Sequence, residues 1–234
     1  MRVNLLALLL SGVLALAHAQ MLRAAEDDRI VPTREEAHHV GKLENQTVRI
    51  VDVDIPAGDR TLFHEHAVDY AYVMIADAKL SNEVWGKPAK DITIRSGDVG
   101  YYRSAQGPYI HRFSNVGETS FRAIGIELLA PLTPKPAAEP LPQGSGYVPV
   151  LDNERVRGYR LVLEPGERAQ LAALRGPSVR VVVGGGEIEQ TADEGTAERV
   201  ELQAAAFEYR EKPVNIAIKN VGKSRIEIVE FEVR

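Results

Sequence analysis

The 234-residue chain contains no cysteine. That single absence excludes disulfide staples, thiolate metal ligands and cysteine nucleophiles. There is no basic run that would track a phosphate backbone, and a formal net charge of -5 gives no electrostatic reason to bind nucleic acid. Past the N-terminus, no stretch approaches the ~20 consecutive apolar residues that a membrane-spanning helix needs. The Gly184-Gly185-Gly186 run is not followed by a helix opening with Lys and Ser/Thr, so it reads as a hairpin turn and not a phosphate loop. Without disulfides, stability must come from core packing, strand pairing or a bound metal, and 44% hydrophobic residues suffice for ordinary cores.

What is present begins with an export pattern. Arg2 gives a short positive start, and an apolar run from Leu5 to Ala17 follows. At about thirteen residues that run is too short to anchor the chain, and Ala17-His18-Ala19 supplies a small-x-small cleavage pattern. Residues 1–19 are therefore expected to be a signal peptide, placing the mature chain in the periplasm or outside the cell, off the membrane. Residues 20–42 are polar and mixed in charge, and they read as a loose arm with one helical turn. His38-His39 falls in this arm and reads as part of a solvated loop.

From Leu43 the pattern becomes one of short β-rich runs bounded by Gly, Pro, Asn or Ser, which argues for a sandwich or barrel. Residues 130–149 hold six of the thirteen prolines together with Gly144-Ser145-Gly146, and read as an extended linker. The two halves it separates, 43–129 and 150–234, repeat one another. Leu43, Asn45 and Val48-Arg49 match Leu151, Asn153 and Val156-Arg157 at an offset of 108, and Gly58 matches Gly166 at the same offset. Asn115-Val116-Gly117 matches Asn220-Val221-Gly222, and Glu127 matches Glu232, at an offset of 105. The difference fits a shortened loop between two blocks of one duplicated scaffold.

The halves differ in their histidines. His64-Glu65-His66 puts two imidazoles on one face of a strand, because side chains alternate with period two, and Glu65 then faces the other way. His111, on a distant strand, can complete one side of a coordination sphere. Three neutral imidazoles suit Fe, Mn, Zn, Ni or Cu and leave positions open for water or substrate. The offsets put Ala172 and Leu174 opposite His64 and His66, and Ile216 opposite His111, so these positions hold no metal in the second half. That half reads as a structural barrel or, alternatively, as an apolar pocket.

Gly58, His64 and His66 fit the spacing of the first cupin motif, G-x5-H-x-H-x(3,4)-E-x6-G. Gly107-Pro108 and His111-x3-Asn115 fit the end of the second. The chain thus resembles the cupin superfamily closely over 43–129 and in scaffold only over 151–234. The resemblance implies an all-β fold of two tandem jelly-roll barrels, a bicupin, with one divalent transition metal in barrel 1. The motif's carboxylate is missing, since Tyr70 and Ala71 occupy its position. Water, substrate or Asp69, one residue early, is left for the fourth position, with Tyr70 as a further ligand candidate or a lining group. Tyr72, Tyr102 and Tyr109 are candidate pocket residues. Arg112 should point away from the side of His111. The function implied is an exported metal-binding bicupin acting on or binding a small organic molecule. Dioxygenase-like chemistry stands first and isomerase or lyase chemistry second, with a non-catalytic binding or structural protein as the alternative. Edge strands invite a homodimer, although two barrels in one chain can satisfy that pairing internally.

Overall fold

The computed structural model describes residues 28–104, 107–131, 145–171, 174, 176–193 and 195–234. The expected signal peptide, residues 132–144 of the expected linker and Ala172 lie outside them.

The first half contains β1 (Ile30–Pro32), β2 (His39–Glu44), β3 (Val48–Ile55), β4 (Phe63–His66), β5 (Tyr70–Met74), β6 (Ala78–Val84), β7 (Lys90–Ile94), β8 (Val99–Tyr102), β9 (Tyr109–Asn115) and β10 (Phe121–Leu128). The second contains β11 (Tyr147–Asp152), β12 (Val156–Leu163), β13 (Arg168–Leu171), β14 (Ser178–Gly184), β15 (Gly186–Ala192), β16 (Glu198–Leu202), β17 (Phe207–Arg210), β18 (Ile216–Asn220) and β19 (Ile226–Val233). A 3-10 turn at Thr33–Glu35 separates β1 from β2. Each half folds as two facing sheets, ordered β1-β4-β9-β6-β7 with β2-β3-β10-β5-β8, and β13-β18-β15-β16 with β11-β12-β19-β14-β17. Apart from β1, the strand orders of the two halves correspond one to one. These are the two tandem jelly-roll barrels that the duplicated sequence implies.

Period-two alternation divides the central strands of the sheets that face one another across the two barrels between two cores. On β3, Val51, Val53 and Ile55 face into barrel 1, while Val48 and Ile50 face out. On β10, Phe121 and Ala123 face in, while Ile124, Ile126 and Leu128 face out. The outward set packs against Val179, Val181, Val229, Phe231 and Val233 of barrel 2, so one apolar core lies between the barrels. Two arginines tie the same contact together. Arg155 donates to the Leu128 and Ala130 carbonyls at 2.9 and 2.8 Å, and Arg160 donates to the Gly97 carbonyl.

The repeated Asn-Val-Gly blocks are structural. Asn115 Nδ2 donates to the Ile55 and Thr119 carbonyls, and its Oδ1 accepts from Gly117 N–H. Asn220 makes the same three bonds to Leu163, Ser224 and Gly222. In each barrel one buried amide closes the turn after the equivalent strand.

The polar arm requires correction. Residues 30–44 are built into barrel 1: β1 pairs in parallel with β4, and β2 pairs with β3. The 3-10 turn between them is pinned by Thr33 Oγ1 donating to the Glu65 carbonyl at 2.6 Å. The corresponding strand of barrel 2, β11, begins at Tyr147, inside the stretch expected to be linker.

Candidate metal centre in the first barrel

β4 and β9 are antiparallel with His64 directly opposite His111 and His66 opposite Tyr109, so the three motif histidines share one face. Their rings lie 4.5 to 5.2 Å apart, centre to centre. His66 Nε2 stands 3.2 Å from His111 Nε2. The sequence-predicted triad is therefore assembled, and all three residues are buried.

A fourth imidazole joins it. His39 sits on β2 in the facing sheet, opposite Val53. Its ring centre is 4.4 Å from that of His64, and ring nitrogens of His39, His64 and His66 lie within 4.8 Å of one another. The solvated-loop reading of His39 is overturned, since this residue is 8% exposed. The cause is the strand pairing of β2, which carries the arm across the open end of the barrel.

The ring orientations are fixed from behind. Glu36 Oε2 holds His39 Nδ1 at 2.7 Å, Asn82 Oδ1 holds His111 Nδ1 at 3.1 Å, and the Leu62 carbonyl holds His64 Nδ1 at 3.0 Å. Each contact places a proton on Nδ1 and leaves the Nε2 lone pair facing the other histidines. His64 Nε2 and His66 Nδ1 are buried and have no hydrogen-bond partner. A cluster of four imidazoles with orphaned ring nitrogens, three of them backed by an oxygen acceptor, fits a divalent transition metal.

Electrostatics agree with that fit. Burial pushes the His64 pKa down to about 3, aided by His39, and pushes His66 and His111 well below the usual histidine range. The rings are thus neutral and ready to ligate. Burial opposes ionisation of Glu36, but its bonds and charge contacts with His39 and His38 outweigh this and lower its pKa to about 2. A carboxylate stays ionised directly behind the cluster.

The other sequence candidates separate. Asp69 is not at the cluster. It accepts from the Tyr101 hydroxyl, from the Ser104 hydroxyl and amide, and pairs with Arg155 of barrel 2 at 3.1 Å. Those contacts turn it toward the contact between the barrels, which removes it as a fourth ligand. Tyr70 stacks on His66 with ring centres 4.3 Å apart, and burial raises its pKa well above the ordinary phenol value, so it lines the site as a neutral phenol. Tyr72 and Tyr109 line the cavity; Tyr102 stands behind Tyr109 and donates to the Gly107 carbonyl. Arg112 points outward, as alternation requires, to Glu83, Asp28 and the Phe63 ring.

His39, His66 and His111 line a cavity of about 200 Å³ inside barrel 1. Its walls are mainly apolar and aromatic, from Val53, Met74, Ile92, Phe113, Phe121 and the three tyrosines Tyr70, Tyr72 and Tyr109. Its one carboxylate, Glu127, is paired with the buried Arg49.

Barrel 2 fills the equivalent positions. By strand register, Tyr147 replaces His39, Leu171 stands opposite Ile216 as His64 stands opposite His111, and Gln190 replaces Asn82. Tyr159, Arg180 and Glu230 replace Val51, Tyr72 and Gly125. Arg180 Nε bonds Glu230 at 2.7 Å, its Nη1 bonds Gln190 at 3.2 Å, and Arg210 pairs with Glu230 from the other side. The fully buried Glu230 is thus satisfied by two arginines within the barrel itself.

His39, Glu36 and Asn82 were not read from sequence as site residues. One signal was available for His39: the 108 offset carries it onto Tyr147, the first residue of a repeated strand.

No family model matches the chain, and no curated protein matches it in sequence. Solved structures do match in three dimensions. YhaK from Escherichia coli has a TM-score of 0.55 at 13% identity, over 85% of this chain and 92% of that one. Bacillus subtilis oxalate decarboxylase, studied for its Mn(II) centres, has a TM-score of 0.55 at 12% identity, over 89% and 79%. A variant of salicylate 1,2-dioxygenase from Pseudoaminobacter salicylatoxidans, in complex with gentisate, has a TM-score of 0.57 at 11% identity, over 84% and 74%. At these identities the likeness establishes the fold alone, and the chain shares the cupin fold of these proteins.

Proposed function

We propose that this chain is an exported metalloprotein whose first barrel holds one divalent transition metal between His39, His64, His66 and His111 and acts on a small organic molecule in the adjoining cavity. The observation that carries this reading is the convergence of four buried imidazoles from two facing sheets, with ring lone pairs left unpartnered beside a lined cavity. A bound metal would supply Lewis-acid or one-electron chemistry there. The protein groups orient and enclose. Glu36, Asn82 and the Leu62 carbonyl hold the imidazoles, while Tyr70 and Tyr109 lie flat against His66 and His111 and keep water from that side.

Among the cavity's described residues, the phenols of Tyr70 and Tyr72 are held neutral by burial, and Glu127 is committed to Arg49. No lining carboxylate is placed to take a proton from substrate. That favours chemistry centred on the metal, with oxygenation first, over isomerase or lyase chemistry that needs a side-chain base. The fold relatives that include a dioxygenase and a decarboxylase are compatible with this ranking. Export, to the periplasm or beyond, rests on the pattern of residues 1–19.

The test is elemental analysis of the purified chain beside His64→Ala and His111→Ala. Close to one equivalent of metal is expected in the wild type and a large loss in both variants. Equal metal in all three would overturn the site. Oxygen uptake with single-ring phenols then separates an oxygenase from a binding protein, for which ligand would bind without consumption of oxygen.

A further inference from the structure

The cavity's size, lining and charge narrow what it can take. An apolar cavity of roughly 150 Å³ accommodates benzene. At about 200 Å³, this one has room for a single ring carrying one or two small substituents, and not for a fused-ring system. Its aromatic surface is flat where the ligand would meet the histidines. Tyr109 stacks on His111 with ring centres 4.4 Å apart at 29°, and Phe113 meets the same imidazole edge-on at 4.6 Å.

The room exists because of Gly125. It lies on β10 between Ala123 and Glu127, both of which face into the barrel. Barrel 2 carries the buried Glu230 at this position, together with its two arginines. A Cβ at Gly125 would meet nothing closer than the Val51 carbonyl oxygen at 3.9 Å, so the glycine leaves usable volume and does not relieve a clash.

Charge is equally selective. Among the described residues the lining includes no arginine or lysine, and its one carboxylate already has a partner. A ligand with two carboxylates would bury at least one charge against apolar walls, at a cost that no lining group offsets.

We infer that barrel 1 takes a monocyclic aromatic molecule with no charge beyond a single oxygen that faces the histidines, and that Gly125 sets this specificity. The inference rests on the proposed cavity-and-metal reading, but the ring-binding part does not require metal.

The experiment is calorimetric titration of the full mature chain, metal-stripped and metal-loaded, with p-cresol and separately with succinate. p-Cresol should bind both forms, and succinate neither. Gly125→Leu should weaken p-cresol by at least roughly tenfold, since it fills the volume of about two methylenes of ligand contact. Its metal content, measured on the same samples, should equal wild type. Gly125→Ala, whose Cβ fits, should show a smaller loss and covers the case in which the leucine variant misfolds. Succinate binding as tightly as p-cresol would overturn the inference, as would p-cresol binding unaffected by Gly125→Leu in a folded protein. Loss of metal binding in His64→Ala with p-cresol retained by the stripped wild type would confirm the ring pocket and the metal reading separately. Failure of the wild type to bind metal, with p-cresol still bound, would sink the metal reading alone.

Discussion

His39→Ala is the sharpest test of how the centre is built. A three-histidine site of the motif kind survives this change, because His64, His66 and His111 all lie on the opposite sheet. A four-histidine site does not. A structural four-ligand zinc site is worth about 10–16 kcal/mol in all, so one imidazole accounts for roughly 2.5–4 kcal/mol, a factor of about 100 to 1,000 in affinity. The variant does not strand the carboxylate behind it. Glu36 keeps the His38 amide at 2.8 Å, the His38 ring at 3.2 Å and the Leu62 amide at 3.4 Å. A gross folding defect is therefore not expected, and far-UV circular dichroism checks this. The assay is competition for Zn(II) between stripped protein and a chromophoric chelator, with His111→Ala as the positive control and His38→Ala as the negative one. Glu36→Gln should weaken binding less, by about 10- to 100-fold, because it loosens His39 without removing it. If His39→Ala binds within about threefold of wild type while His111→Ala does not, the reasoning fails and the site is the motif triad alone.

Stripped protein should lose stability in mild acid. Burial holds the folded-state pKa values of His64, His66 and His111 below the unfolded value, so the unfolded chain takes up protons first as pH falls through about 6.5. The stability is fully present above that pH and declines below it, by up to about 1.4 kcal/mol per pH unit for each histidine. A urea midpoint that is the same at pH 7 and pH 5 would contradict this. Asn115→Ala and Asn220→Ala each remove the same three hydrogen bonds and should each cost about 2–4 kcal/mol in denaturant unfolding, with metal content per folded chain unchanged. A cost under about 1 kcal/mol for either would refute the turn-closing role. Arg180→Met alone should destabilise by about 3–5 kcal/mol, because Glu230 then keeps only Arg210. Arg180→Met with Glu230→Met should recover most of that loss, and thermal unfolding of the two variants decides it.

The legible parts of the chain were those where local period and repetition speak together. His64 and His66 show their shared face through alternation alone, and His111 is placed by the spacing of Gly107, Pro108 and Asn115 around it. The duplication was readable because Asn115 and Asn220 do the same structural work in both halves. His39 was hidden because its strand is short, largely exposed, and irregular where the register shifts between Gly41 and Leu43. The strand before it, β1, is joined to β4 by a parallel pairing of three residues, a contact no local pattern announces. Asp69 misled for the opposite reason. It sits one residue from the motif's carboxylate, but its direction is set by Arg155, which lies in the other barrel and is close only once the barrels pack. The arginine–glutamate cluster of barrel 2 was equally opaque, since Arg180 and Glu230 alternate with valines and phenylalanine as surface charges on a half-exposed strand would.

The two barrels solve one electrostatic problem in different ways. Each buries polar side chains inside the same frame, largely at different positions. In barrel 2 the buried charges cancel within the barrel, with Glu230 between Arg180 and Arg210 and with Gln190 turned to Arg180. In barrel 1 the Arg49–Glu127 pair also closes on itself, but the interior then presents the neutral imidazoles of His64, His66 and His111, with an ionised Glu36 behind His39. Lone pairs and a fixed negative charge point inward there, with no side-chain cation among the cavity-lining residues to meet them. Reversing one barrel toward the other is therefore an asymmetric change. Giving barrel 1 the pair Tyr72→Arg and Gly125→Glu should fill its cavity and abolish ring binding while the frame stands. Giving barrel 2 four histidines without an equivalent of Glu36 should not create a tight metal site. In the proposed centre the carboxylate behind His39 adds to what the histidines supply for a cation.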